Sequence, residues 1–262
     1  PFMGAAVTSA DEGIVASQPL HGGGELRGCL HVSGSLSART RLLLLRVSHG
    51  GFAHPRAGFM RLFGITGYAD FQQAAVDVAS RKEVKSLLLE VASGGGAVEG
   101  ADEASAFWAD MGKMKPTVTY ASGAMASAAY WVGSASSRRL ASATSVLGSL
   151  GVLITHFERS KQLEKDGIGA TIIRSGKWKA LANGIEPLSG PAKEQLQSMV
   201  GDLADIFEAR VAQNLRVPQK RVHDQMGQGR EFLGARAVEV GLADGVSSFQ
   251  EAFAVAKLLG RS

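Results

Sequence analysis

An almost continuous apolar run of strand length, VKSLLLEV, occupies residues 84–91 and leads into a Ser-Gly-Gly-Gly turn at 93–96. Such a run is typical of a strand that is covered on both faces. A helix predicted at about 98–112 follows, Lys115-Pro116 ends it, and a second β-rich run occupies 117–121. Strand, helix and strand in this order place parallel strands in one sheet, so the sequence predicts an α/β fold.

The rest of the chain is predicted to form one domain behind a flexible arm. Residues 1–24 are small, polar and rich in glycine, which predicts a poorly ordered arm, and residues 25–262 show no repeat or linker. Residues 38–66 contain an apolar tetrad but no pattern that assigns them. The further predicted elements are strands at 25–36, 138–142, 152–155 and 169–174, a short segment at 231–233, and helices at 68–80, 128–134, 157–166, 191–213, 218–226, 234–240 and 248–259.

Composition is that of an ordinary globular protein. The chain is 45% apolar and 20% charged, and its net charge of +4 comes from scattered lysines and arginines. This distribution does not indicate a nucleic-acid-binding surface.

No cofactor, metal ion or membrane span is predicted. The single cysteine, Cys29, falls in a predicted strand and is interpreted as a small buried residue. Metal-binding spacings such as C-x-x-C and H-E-x-x-H are absent. No apolar run approaches the roughly 18 residues of a membrane span, and no basic region leads into an apolar one at the N-terminus. We therefore expect a soluble, cytoplasmic protein.

The glycine turn at 93–96 directs backbone N–H groups into a cleft at a helix N-terminus, where negative charge is favoured. One use is dinucleotide binding, which requires an acidic residue at the end of the next strand, but that strand ends Tyr120-Ala121-Ser122. The other use is an oxyanion hole, which stabilises charge on a carbonyl oxygen under attack. A tight turn without any chemistry is the third interpretation.

Ser127 stands where the second strand gives way, through small residues, to a helix. A serine at this position either caps the helix or acts as a nucleophile. The G-x-S-x-G elbow of α/β-hydrolases is absent. A nucleophilic serine needs a base, and the sequence offers His156 or a lysine at 177 or 179. A lysine base must be neutral, which burial near Trp178 would favour.

Five segments together resemble the signal peptide peptidase A (SppA) type of serine peptidase, including the capsid assembly proteases of the phage protein C type. They are LLLEVASGGGAVEG, ASGAMASAAYW, SVLGSLGV, RSGKWKALANGIEPLS and GREFLGARAVEVGLADGV, in the family's order from about Tyr68 to Val246. The resemblance implies a ClpP/crotonase-like spiral of ββα units, assembled into homo-oligomers. It implies Ser127 as nucleophile, Lys179 as general base, Ser149 as the serine that hydrogen-bonds the lysine, and the backbone of Gly95 and Ala128 as oxyanion-hole donors.

The function predicted on this resemblance is a Ser-Lys endopeptidase of capsid maturation, acting on a capsid or scaffold protein in the host cytoplasm or the prohead interior. Gly94 stands where the family usually has proline, residues 38–66 match poorly, and Lys177 stays open as the base. Three alternatives remain: a peptidase that clears signal peptides, a crotonase-like acyl-coenzyme A enzyme that uses the same glycine donors, and a capsid scaffold protein with a silent site.

Overall fold

The computed structural model describes residues 66–261 together with four short stretches of strand that precede them. The chain divides into two compact units. The first unit runs to Leu150 and resumes at Phe207, and the second comprises residues 151–206. The predicted arm at 1–24 lies outside the described residues except for two residues of strand, and the single-domain organisation of 25–262 stays a prediction.

The first unit contains nearly all of the regular structure. Its strands are β1 (Ile14–Val15), β2 (Ser35–Leu36), β3 (Leu42–Ser48), β4 (Phe52–Ala53), β5 (Thr66–Gly67), β6 (Ser86–Ser93), β7 (Thr117–Ala126), β8 (Arg138–Ala141), β9 (Val146–Gly148), β10 (Glu231–Leu233) and β11 (Gly245–Val246). Its helices are α1 (Tyr68–Ala79), α2 (Ala101–Met114), α3 (Ala128–Gly133), α6 (Gln219–Arg221), α7 (Gly234–Val240) and α8 (Phe249–Leu259), and a π turn covers Val222–Met226. Helix α5 (Gly190–Leu215) begins in the second unit and belongs to the first from Phe207 onward.

The main sheet has the order β10-β9-β7-β6-β3, with β8 paired to β7 and β11 paired to β8. Every pairing in it is parallel except that of β10 with β9. Two smaller sheets pair β1 with β2 and β4 with β5. The α/β class predicted from the alternation of strands and helices is confirmed.

Strand β7 is longer than the sequence predicted and changes its neighbour along its length. Its first half pairs with β8, and residues 124–126 pair with β9 at residues 146–148. The small residues after 121, which were predicted to lie between the strand and the helix, are therefore part of the strand. The two strands approach closely there, since a Cβ on Gly123 would lie 3.3 Å from the Cβ of Ala92 on β6. The extension carries β7 directly to Ser127.

The sheet is buried on both faces, as the apolar run in β6 predicts. Leu87 and Leu89 belong to the larger core, which includes residues of α1, α2 and α3, whereas Leu88 faces a smaller core built with α8. Alternate residues of one strand thus point to opposite cores. The strand lies two residues further along the chain than predicted, because pairing with β3 and β7 begins at Ser86 and Leu87.

The second unit has little regular structure. It contains α4 (Ser160–Lys165) and the first part of α5, and the intervening residues form turns and irregular backbone. The strands predicted at 152–155 and 169–174 are wrong. Among the described residues neither segment has a strand partner, and Ile173 is 96% exposed, so the local apolar alternation is not matched by burial.

The other helix predictions agree with the structure to within a few residues, except around α4 and α6. The helix predicted at 157–166 covers only Ser160–Lys165, and that predicted at 218–226 continues beyond α6 as the π turn. The strand predicted at 25–36 lies outside the described residues apart from β2. Across the part of the chain that the structure describes, no helix combines the length and apolar character needed to span a membrane.

Candidate active site

Ser127 occupies the single residue between β7 and α3 and has a backbone conformation that L-residues rarely adopt, with φ 51° and ψ −128°. Its side chain makes no capping hydrogen bond to α3, so the interpretation of this serine as a helix cap is wrong. Within the described part of the first unit, the hydroxyl has no hydrogen-bond partner. Strained residues of this kind occur at functional sites, where the surrounding structure holds them.

Hydrogen bonds on both sides hold the backbone of Ser127. Its N–H donates to the carbonyl of Gly148 on β9 at 2.8 Å, and its carbonyl accepts from the N–H of Trp131 in α3 at 3.0 Å. Helix α3 is itself entirely buried. Its last residue, Gly133, packs tightly on β7, because a Cβ there would lie 2.6 Å from the sulfur of Met125. The serine therefore sits at a rigid strand-to-helix junction.

Gly95 lies directly against this junction. A Cβ built on Gly95 would be 2.6 Å from the Cβ of Ser127 and 3.1 Å from the amide nitrogen of Ala128, and its φ of 115° also disfavours a side chain. Only glycine lets the turn after β6 approach the serine this closely. Both segments lie at the carboxyl end of adjacent parallel strands, the edge at which α/β proteins bind ligands.

The two backbone donors predicted for the oxyanion hole differ in their present partners. The N–H of Ala128 is one of the first amides of α3 and has no acceptor within the described part of the first unit, as is usual at a helix N-terminus. The N–H of Gly95 donates to the Ser93 hydroxyl in a long bond of 3.3 Å. An oxyanion between the two amides would compete with that hydroxyl for Gly95.

Ser149 lies beside Ser127 across the β7 and β9 pairing, which aligns Ala126 with Gly148. Ser149 also has a positive φ, 53°, and its N–H donates to the carbonyl of Arg230 at 2.7 Å. The structure thus brings Gly95, Ser127, Ala128 and Ser149 together within the first unit.

Both candidate lysines belong to the second unit, in a turn rather than an extended segment. The Lys179 N–H donates to the Gly176 carbonyl at 3.1 Å, and Ala180 has φ 56°. The ammonium of Lys177 lies over the Trp178 ring, 5.0 Å from its centroid. Lys177, Trp178 and Lys179 are all exposed in the single chain, so the burial expected near Trp178 is not supplied by the unit that carries these residues.

His156 has a structural contact in the second unit. Its Nε2 lies 3.0 Å from the carbonyl oxygen of Asn183, and within residues 151–206 no carboxylate hydrogen-bonds the ring. The Asn183 side chain accepts from the amides of Ile185 and Glu186 at 2.8 and 2.9 Å and donates to the carbonyl of Ala180 at 2.8 Å. Asn183 therefore organises the turn that follows Lys179.

Three residues near the candidate site were not singled out from the sequence. Gly148 has no room for a side chain, because a Cβ there would lie 2.5 Å from the Arg230 carbonyl oxygen. The Ser93 hydroxyl accepts from the Gly95 amide, and the Arg230 carbonyl accepts from the Ser149 amide. The Gly-Ser pair at 148–149 was a signal in the sequence, but Arg230 is brought there only by the pairing of β10 with β9.

The fold and the junction together define an α/β protein with a strained serine, which does not cap its helix, at the carboxyl edge of a parallel sheet. The chain belongs to peptidase family S49, which matches residues 109–261. The family assignment made from the five segments is thereby confirmed.

The relatives include phage and plant proteases. The chain is 32% identical over 226 residues to capsid assembly protease C of Escherichia phage lambda, which covers 86% of this chain and 47% of that protein. It is 27% identical over 184 residues to the chloroplastic serine protease SPPA of Arabidopsis thaliana, covering 69% of this chain and 27% of that protein. The chain therefore spans about half or less of the length of these relatives.

Among solved structures, the chain is similar to a mutant of ClpP1 from Listeria monocytogenes. The match has a TM-score of 0.48 and 11% sequence identity, and it covers 81% of this chain and 94% of that one.

Proposed function

We propose that this chain is a serine endopeptidase in which Ser127 is the nucleophile and Lys179 the general base. The observation that carries the proposal is the junction at Ser127: a strained serine that does not cap its helix, with Gly95 packed against it and an Ala128 amide that has no acceptor among the described residues of the first unit. Membership of a peptidase family supports the reaction class.

The proposed reaction proceeds by acyl transfer. The neutral amine of Lys179 takes the proton of the Ser127 hydroxyl, and the oxygen bonds to the carbonyl carbon of the scissile peptide. The resulting oxyanion accepts hydrogen bonds from the amides of Ala128 and Gly95. The carbon–nitrogen bond then breaks as the Lys179 ammonium returns its proton to the leaving amine. Water, deprotonated by the same lysine, releases the acyl group and restores the serine.

A lysine can act in this way only as the neutral amine, and loss of water around the amine favours that form. Lys179 is exposed in the single chain, so this water must be displaced by bound substrate or by another copy of the protein. Ser149 is proposed to donate a hydrogen bond to the neutral amine, which would favour the uncharged form.

The proposed substrate is a capsid or scaffold protein, and the proposed setting is a prohead or the cytoplasm in which it assembles. The name of the phage relative, a capsid assembly protease, supports this choice over the clearing of signal peptides.

The nucleophile is tested with purified wild-type chain, Ser127→Ala and Ser122→Ala on a peptide-library substrate and with a fluorophosphonate probe. Ser122 is a matched control because it lies in β7 five positions earlier and is exposed. We expect Ser127→Ala to lose cleavage and labelling and Ser122→Ala to retain both. Full proteolysis by Ser127→Ala would refute the proposal. Coenzyme A binding without labelling of the wild type would favour the acyl-coenzyme A alternative.

The base is tested by comparing Lys179→Met with Lys177→Met, two neighbouring exposed lysines in one turn. We expect Lys179→Met to lower kcat by at least about 100-fold, because general-base catalysis contributes about 10²–10⁴ in rate. Lys177→Met should stay within a few-fold of wild type, since its amine lies over Trp178. The reverse pattern would make Lys177 the base.

A further inference from the structure

Backbone hydrogen bonds join Ser149 and its neighbour to the segment that precedes β10. Its N–H donates to the carbonyl of Arg230 at 2.7 Å, and the carbonyl of the next residue, Leu150, accepts from the N–H of Gly229 at 2.9 Å. Gly148 touches the same Arg230 oxygen closely enough to exclude a side chain. Residues 148–150 therefore take their position from residues 229 and 230.

The supporting segment is an irregular turn that needs its own restraint. Gln228 and Gly229 both have positive φ, 61° and 73°, a costly conformation for the glutamine. The Arg230 guanidinium provides the restraint: its Nη2 donates to the Asp224 carbonyl at 2.6 Å and its Nε to the Gly227 carbonyl at 3.1 Å. One side chain thus joins both ends of the turn.

The base of this turn is fixed to the core. The π turn closes with a hydrogen bond from the Gly227 amide to the Val222 carbonyl at 2.6 Å. Gly227 packs on the buried carboxylate of Glu208, whose Oε1 would lie 2.6 Å from a Cβ at that position. The same carboxylate lies 2.9 Å from Nδ1 of His223. Because π turns are often found at functional sites, this support is a candidate for a role beyond packing.

We propose that Arg230 is a positioning residue for catalysis: its guanidinium clamps the 224–230 turn so that its own carbonyl holds Ser149 at the active site. This inference rests on the proposed function, in which Ser149 orients the lysine base. Arg230 acts through Ser149 and does not contact substrate in this scheme. Loosening the clamp lets the strained Ser149 backbone relax and withdraws its hydroxyl from the base.

The test is a double-mutant cycle between Arg230→Met and Ser149→Ala, with kcat and KM measured against pH. We expect Arg230→Met to lower kcat about 10- to 100-fold with KM nearly unchanged, as displacement of an orienting group does. The proposed hydrogen bond from the Ser149 hydroxyl favours the neutral amine, so its loss should move the acid limb of the rate profile to higher pH. Both single variants should show this shift, and the double variant should resemble Ser149→Ala alone.

Two further variants keep the test decisive. Arg230→Lys retains the positive charge but cannot donate to both carbonyls as the guanidinium does. We therefore expect its kcat to lie between those of the wild type and Arg230→Met. If Arg230 acted on the lysine base through its charge alone, Arg230→Lys would keep the wild-type kcat. Arg236→Met removes a surface arginine that pairs with Glu239 on α7, and it should behave as wild type. If Arg230→Met does not fold, by circular dichroism, the cycle is run with Arg230→Lys.

Failure of this inference differs from failure of the proposed function. Wild-type chain without peptidase activity, or Ser127→Ala with full activity, would defeat the function. Cleavage that Ser149→Ala impairs but the Arg230 variants leave intact would overturn the clamp alone. Effects of Arg230→Met and Ser149→Ala that add independently, or a change confined to KM, would also overturn it.

Discussion

Ser127 and Gly95 lie against each other. Their backbone conformations are explained by this contact and not by the conformational preferences of the two residue types. The angles of Ser127 lie close to those of the first central residue of a type II′ turn, a position that glycine dominates. A serine there costs stability of the order of 1–3 kcal/mol and makes no capping bond in return. Its presence is therefore better explained by reactivity than by folding.

This residue should accordingly be suboptimal for stability. We expect Ser127→Gly to raise the free energy of unfolding by about 1 kcal/mol, because glycine adopts the observed angles without strain. The same variant should be inactive. Urea denaturation of both proteins measures the first effect and the peptide assay the second, and a Ser127→Gly protein less stable than wild type would contradict the argument.

The converse substitution, of alanine for glycine at residue 95, is expected to disturb the site. Gly95→Ala places a methyl group 2.6 Å from the Cβ of Ser127, so one of the two segments must move. We expect the rate to fall by about 10²–10³, as on loss of an oxyanion-hole donor. Gly94→Ala is the matched control, since nothing lies within 4 Å of a Cβ at that neighbouring glycine. Equal activity of the two variants would count against a role for Gly95.

At the scale of elements, α3 is fixed by its packing on α2 and the last part of α5. The Trp131 ring stacks on Phe207 with centroids 4.1 Å apart. The Ser105 hydroxyl donates to the Trp131 carbonyl at 2.8 Å and accepts from the Asn214 amide at 3.0 Å. Helix α3 begins with the Ala128 amide, so these contacts also position a proposed oxyanion donor.

A bidentate ion pair joins α2 to the last part of α5 and gives a prediction about pH. The Arg210 guanidinium donates to both oxygens of Asp102 at 2.7 Å, and this hydrogen bonding lowers the pKa of Asp102 below its usual value near 3.8. A carboxyl whose pKa is lower in the folded state stabilises the fold above its unfolded pKa and loses that contribution as pH falls through the folded value. Below about pH 4, the free energy of unfolding should therefore fall less steeply with falling pH in Asp102→Asn than in the wild type. Urea unfolding between acidic and neutral pH measures this difference. Asp110→Asn is the control, because Asp110 is exposed on the same helix. Identical pH slopes for Asp102→Asn and the wild type would contradict the prediction.

At the scale of the whole molecule, the second unit leaves much apolar surface uncovered in the single chain. Its exposed large apolar side chains are Leu153, Ile154, Phe157, Ile168, Ile173, Trp178, Ile185, Met199 and Ile206. Along α5, Phe207 and Val211 are buried, whereas Met199 and Ile206 earlier in the helix are 42% and 49% exposed. Extended apolar surface of this kind marks an interaction site.

We propose that another copy of the chain covers this surface, in a homo-oligomer. A stable interface buries roughly 800 Å² on each partner, which requires several such side chains together. Ile173→Asp combined with Phe157→Asp should therefore shift the protein to monomer in analytical ultracentrifugation. Met114→Asp, at a residue 71% exposed on α2, should leave the assembly unchanged. A wild-type chain that is monomeric at all concentrations would refute the proposal.

The local sequence pattern was sufficient to predict part of the fold of this protein. The apolar run in β6, the glycine turn after it and the strand before Ser127 follow from residue types a few positions apart, because strand burial and turn geometry are local properties. The same reasoning failed at 152–155 and 169–174, where apolar residues alternate but no partner strand is present among the described residues. Pairing is a non-local event, and short strands depend on it.

By itself, the sequence determined the α/β alternation, the peptidase family and the identity of the serine at the helix junction, since each depends on the order and type of neighbouring residues. Only the tertiary structure decided that this serine is strained and uncapped, that Gly95 touches it, and that Arg230 supports Ser149 from a segment far along the chain. These are contacts between residues distant in sequence, and the sheet pairing that creates them leaves no local trace.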